Sequence, residues 1–164
     1  MADITFTNKA TARKAATDAI VGKGDAGSLK VLLSATIELA AATANDTISF
    51  GRISSNARIA GISRVYWDDC DSAGAPTLDM GLGSVDSNIT SDPDAFSNGH
   101  DLATATPAGA ALIGDIVNFG LPAWDFVNGQ TTDPKGELEV YGSVVDADTN
   151  TTGTITVEVY GYLD

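Results

Sequence analysis

The sequence predicts an all-β protein: an antiparallel β-sandwich, jelly-roll-like, with a short N-terminal helix. Three observations carry this. Apolar and polar residues alternate with a period of two, most clearly near the end of the chain. There Leu138, Val140, Gly142, Val144 and then Ile155, Val157, Val159, Gly161 interleave with Glu137, Glu139, Tyr141, Ser143 and Thr154, Thr156, Glu158, Tyr160. Successive strand side chains point to opposite faces, so each such run buries one face and opens the other. The runs are separated by polar segments rich in Asp, Asn, Ser and Gly, which favour turns. Finally, 17 glycines and a charged fraction of only 19% suit a turn-rich β architecture of seven to nine strands.

The elements follow in order. Residues 1–28 form a candidate arm. Ala12, Ala15, Ala16, Ala19 and Ile20 recur at helical spacing, Asn8 or Thr11 can cap the start, and Gly22 can end it. A stripe of alanines buries little area, so this helix needs a surface to dock on, its own domain's or a neighbour's. Residues 29–164 form the β domain. Leu29, Val31, Leu33, Ala35, Ile37 and Leu39 alternate as one core face, and a turn follows at 41–46. A strand near 46–53 carries Ile48 and Phe50. Residues 57–67 read as one strand with large apolar groups on both sides, as expected of a strand buried on two faces. Leu78, Met80 and Leu82 mark a short strand. Asp92-Pro93 reads as a helix start, with Asp92 as cap and Pro93 in the first turn. Leu112–Phe119 reads as a strand, residues 120–136 as a long connection, and residues 137–164 as a β-hairpin turned by the polar loop 146–153.

Composition narrows the function. At 164 residues one domain is expected, large enough for a core without covalent staples. The net charge of −13 argues against nucleic acid and anionic membranes as partners, because both require clustered cations. Four of the nine basic residues, Lys9, Arg13, Lys14 and Lys23, fall in residues 1–28 beside three acids, so the rest carries −14. Cys70 is the sole cysteine and His100 the sole histidine, which rules out an intrachain disulfide and the usual zinc sites. No secretory signal and no membrane-spanning apolar run is read, which suits synthesis in a reducing cytoplasm.

No residue pattern assembles catalytic chemistry. His100, in Ser97-Asn98-Gly99-His100-Asp101, lacks a nucleophile elbow and reads as a locally bonded histidine. Asp146-Ala-Asp148-Thr-Asn150 has the oxygen spacing of a calcium loop, but Thr151 replaces the required glycine and Val157 the terminal glutamate. The carboxylates at 68–71 and 92–101 read as turn chemistry instead. Tyr66, Trp67, Trp124 and Phe126 could line a sugar platform, though sheet aromatics are more often core or interface. No enzyme activity, cofactor or metal is expected.

Four segments resemble small structural proteins of tailed-bacteriophage virions, especially head decoration or cement proteins. They are Asp46-Thr-Ile-Ser-Phe-Gly-Arg-Ile53, Ala57-Arg-Ile-Ala-Gly-Ile62, Thr77-Leu-Asp-Met-Gly-Leu-Gly83 and Gly153-Thr-Ile-Thr-Val-Glu-Val-Tyr160. The resemblance implies a non-enzymatic protein that stabilises the head shell, located on the outer capsid surface, with the major capsid protein as partner. It implies a capsid-contacting arm bearing Lys9, Arg13 and Lys14. The alternatives are a tail or baseplate component, or a carbohydrate-binding β-sandwich module. A homo-oligomer, most simply a trimer, is expected on physical grounds too. Tyr66 lies on the doubly apolar 57–67 segment, and Tyr141, Tyr160 and Tyr162 fall on the outward phase of the last two strands. Exposed in a monomer they would form an aromatic patch, which soluble proteins seldom leave unpartnered.

Overall fold

The structure, a computed structural model, describes residues 28–70 and 74–163. The helix expected around Ala12–Ile20 and the arm residues Lys9, Arg13 and Lys14 lie outside the described residues. Nine strands are found among the described residues: β1 (Lys30–Leu39), β2 (Thr47–Ser54), β3 (Arg58–Ile59), β4 (Arg64–Trp67), β5 (Thr77–Ser84), β6 (Asp92–Asp101), β7 (Ala110–Ala111), β8 (Glu137–Val145) and β9 (Gly153–Tyr162). Two 3-10 turns, Ile116–Asn118 and Ala123–Phe126, interrupt the connection between β7 and β8.

The strands form two antiparallel sheets packed as a sandwich. Sheet A has the order β1-β9-β4-β7, with β3 also paired to β9; sheet B has the order β2-β8-β5-β6. The ladders nest: β1 pairs β9, β2 pairs β8, β4 pairs β7 and β5 pairs β6. A long hairpin rolled up on itself produces this nesting, and it is the topology of a jelly roll.

The alternation sets the core. Leu78, Met80, Leu82, Leu138, Val140 and Val144 of sheet B are fully buried against Val65, Ile155 and Val157 of sheet A. Trp67, a candidate for a sugar platform, is a core residue with 6% exposure, and its indole N–H donates to the carbonyls of Asp101 (2.8 Å) and Thr104 (2.9 Å). Phe126 is buried as well, edge-on to Phe96 with ring centroids 5.2 Å apart.

Four expectations are corrected. The terminal hairpin does not form: β8 lies between β2 and β5 in sheet B, whereas β9 lies between β1 and β4 in sheet A. The polar loop after Val145 crosses between the sheets, and its length exceeds the two to five or so residues of a common hairpin loop. The 57–67 segment is not one strand. A turn at Ala60–Ser63 splits it into β3 and β4; the Ser63 amide and hydroxyl both donate to the Ala60 carbonyl. The split separates the two apolar faces: Ile59 and Val65 are buried and Ile62 is half exposed.

Asp92-Pro93 starts a strand, not a helix. β6 is the outer strand of sheet B, where a missing proline N–H costs little. The Asp92 carboxylate accepts the Asn128 amide at 2.7 Å, which removes it from any helix cap. Leu112–Phe119 is likewise not a strand. Asp115 accepts the Val117 amide at 3.1 Å and caps a 3-10 turn, while Leu112 and Ile113 drop into the core.

Candidate interaction surface

The outward face of sheet A holds three of the four predicted interface tyrosines. Tyr66 of β4 and Tyr160 of β9 converge on one carboxylate: their hydroxyls donate to Glu158 Oε2 at 3.4 and 3.1 Å. The acceptor on Glu158, together with its negative charge, raises the Tyr160 pKa, so the neutral phenol is the form held there. Beyond them lies Tyr162, whose ring lines a shallow recess of about 430 Å³ with Leu29, Ala60, Gly61, Ile62, Phe119 and Gly120.

Local sequence builds this recess. The Phe119 ring rests on Gly61, where a Cβ would come within 2.4 Å of it, so only glycine allows the approach. Arg64 Nη1 donates to the carbonyls of Gly61 and Ser63, and Arg58 Nη1 donates to the carbonyl of Gly120 at 3.0 Å. These two guanidinium groups tie down both walls.

A β-bulge explains why the recess is apolar. The β1–β9 register shifts between Val31 and Leu33. A shift of one residue exchanges the two faces of a strand. From Leu33 onward the alternation holds, with Leu33, Ala35, Ile37 and Leu39 toward the core. Before the bulge the phase reverses. Leu29 and Val31, expected in the core, are 45% and 57% exposed. Sequence reading missed this because the apolar alternation runs unbroken across the bulge; Leu32, apolar within a polar phase, was its one trace.

Tyr141 departs from the expectation. It is outward on β8 in sheet B but only 9% exposed, and its own chain buries it. Gly81, its partner on β5, admits the Asp92-Pro93 backbone at the start of β6, since a Cβ there would stand 2.2 Å from the Asp92 carbonyl oxygen; the Tyr141 ring itself lies against Gly83, 3.3 Å from where a Cβ would stand. Desolvation, aided by Asp92, Asp94 and Glu139, raises the Tyr141 pKa. Tyr141 therefore contributes nothing to an exposed aromatic patch.

The remaining candidates are structural. His100 Nε2 lies 2.8 Å from Ser97 Oγ within the same strand, and its ring sits 5.3 Å from that of Trp67. Burial lowers its pKa against the opposing pull of Asp79, whose carboxylate accepts the Gly99 amide. Two carboxylates of the calcium-like loop bond distant segments instead: Asp146 accepts the Thr77 hydroxyl at 2.6 Å and Asp148 the Ala44 amide at 2.7 Å. Among the described residues no three His, Cys, Asp or Glu side chains converge on a common point, and no helix is long and apolar enough to cross a membrane.

The chain is thus a jelly-roll β-sandwich whose sheet A borders an apolar recess and carries tyrosines on its outer face. No protein-family profile matches the sequence, and no curated protein matches it. Among solved structures, the fold is similar to a chain of the cyanophage Pam1 capsid asymmetric unit, with a TM-score of 0.58 and 21% identity over 92% of this chain and 96% of that one. The resemblance to phage virion structural proteins thus extends to the three-dimensional fold.

Proposed function

We propose that the chain is a non-enzymatic structural protein of a tailed-phage virion, a decoration or cement subunit that binds the major capsid protein on the outer surface of the head shell. One observation carries the reading: a fold shared over nearly its whole length with a chain of a phage capsid asymmetric unit. The exposed face supports it, since a shell-binding protein needs a rigid scaffold, an adhesive patch and a soluble remainder. In this reading Tyr66 and Tyr160 contact neighbouring copies in a homotrimer. Such tyrosines bury area at low entropic cost and keep a polar tip. Lys9, Arg13 and Lys14 reach carboxylates on the shell.

The test is reconstitution on purified phage shells stripped of accessory proteins. Saturable co-sedimentation, with a rise in the temperature at which shells rupture, is the expected result. It should weaken with salt, because exposed charge contacts are screened. Co-sedimentation with isolated tails but not with heads would move the protein to the tail. Saturable binding on a glycan array with no binding to particles would replace the reading by a carbohydrate-binding module.

A further inference from the structure

Seven large hydrophobic side chains are exposed among the described residues: Leu29, Val31, Ile62, Ile116, Val117, Phe119 and Leu163. Three of the seven meet at the recess beside sheet A. Leu29, Ile62 and Phe119 line the recess itself, and the other four lie within three residues of a lining residue. Val31 pairs with Tyr160, and the Phe119 amide donates to the Ile116 carbonyl, which ties the outlying members to the same place. Scattered exposed side chains would need no explanation; an apolar recess lined by Leu29, Ile62, Phe119 and Tyr162 on a chain of charge −13 does.

We propose that this recess is the seat of the chain's own residues 1–27. The described chain begins at Ser28, and the next residue, Leu29, lines the recess. The preceding segment therefore leaves from the patch itself, and its local concentration there is far above that of any second molecule. Gly22 to Ser28, rich in glycine, reaches roughly 25 Å when extended, enough to return Ile20 and Val21 to the patch. The segment also offers Ile4, Phe6 and the alanines of its predicted helical face.

Charge favours this occupant over a second copy. Residues 29–164 carry −14, so two such bodies repel, whereas residues 1–28 carry +1. Seating the segment by its apolar side chains leaves Lys9, Arg13 and Lys14 available to a shell, and leaves Tyr66 and Tyr160 open to a neighbouring copy. The inference does not depend on a virion function and is tested without particles.

Limited trypsin digestion of the full chain, followed by mass spectrometry, reads cleavage after Lys9, Arg13, Lys14 and Lys23. Ile62→Asp and Val31→Asp each place a charge on the patch at residues already half exposed or more, with folding checked by circular dichroism. Cleavage of the segment should be about tenfold faster in both variants than in the unmodified chain, at every protein concentration, because proteolysis follows the population of the undocked form. Equal rates in the unmodified chain and both variants would overturn the proposal. Protection that disappears on dilution would overturn it as well, by showing that a second copy supplies the cover.

Discussion

Tyr141 and Tyr160 occupy equivalent places, outward-facing on the last strand of each sheet, and meet opposite fates. Beside Tyr141 the chain lays Asp92-Pro93 over Gly81, its cross-strand partner, and the ring, packed against Gly83, is buried. Its surroundings are polar, with Thr47, Ser49, Ser91 and Glu139 bordering the same recess and the Ser49 hydroxyl bonded to Glu139. Over Tyr160 the described chain lays nothing comparable; its neighbours are Val31, Tyr66 and the apolar recess around Tyr162. One outer face is finished internally and the other is left adhesive. A strand's period determines which way a side chain points, but what crosses above it is a property of the connections.

The largest expected effect tests how the finished face is closed. Gly81→Ala drives a methyl into the Asp92-Pro93 backbone, which cannot yield as a side chain would. A loss of about 3 kcal/mol or more is expected in urea unfolding, at the top of the usual range for overpacking. Next, Tyr141→Ala should cost about 2 kcal/mol and Tyr160→Ala under about 1 kcal/mol, since only the first removes a buried ring. Equal losses in the two would erase the distinction between the faces.

A smaller effect comes from His100 of sheet B, whose ring lies against Trp67. Burial lowers its pKa in the folded chain below the ordinary value of 6.5, so the unfolded chain binds more protons between the two values. Stability should fall as pH drops below about 6.5 and level off once the folded-state pKa is passed. Thermal melts of His100→Gln should show a flatter fall over that window; an unchanged profile would remove His100 as its source. The smallest effect on stability belongs to the adhesive side: Val31→Thr should change unfolding free energy by less than about 0.5 kcal/mol, as exposed substitutions do.

Much of the fold was legible, and the failures have identifiable causes. The phase of Leu138 to Val144 and of Ile155 to Val159 is right because burial of one face enforces period two. The pairing of those strands is wrong because alternation says which face is buried and not which strand lies alongside. Only the length of the 146–152 connection hinted at a passage between sheets. Pro93 misled because the first turn of a helix and the start of an edge strand both tolerate a missing N–H. The candidate surface was half legible. Tyr66, Tyr160 and Tyr162 do share an outer face, whereas Leu29, Val31 and Phe119 joined them through a bulge and a glycine contact that carry no local periodic signal.

Electron cryo-microscopy of purified phage particles containing this chain tests the account most directly. The expected map places the jelly roll outside the head shell, with the Leu29–Ile62–Phe119–Tyr162 end of sheet A covered by protein density and the Tyr141 face of sheet B turned to solvent. A sandwich located in the tail, or one on the head with that end of sheet A bare and sheet B buried against the shell, would contradict it.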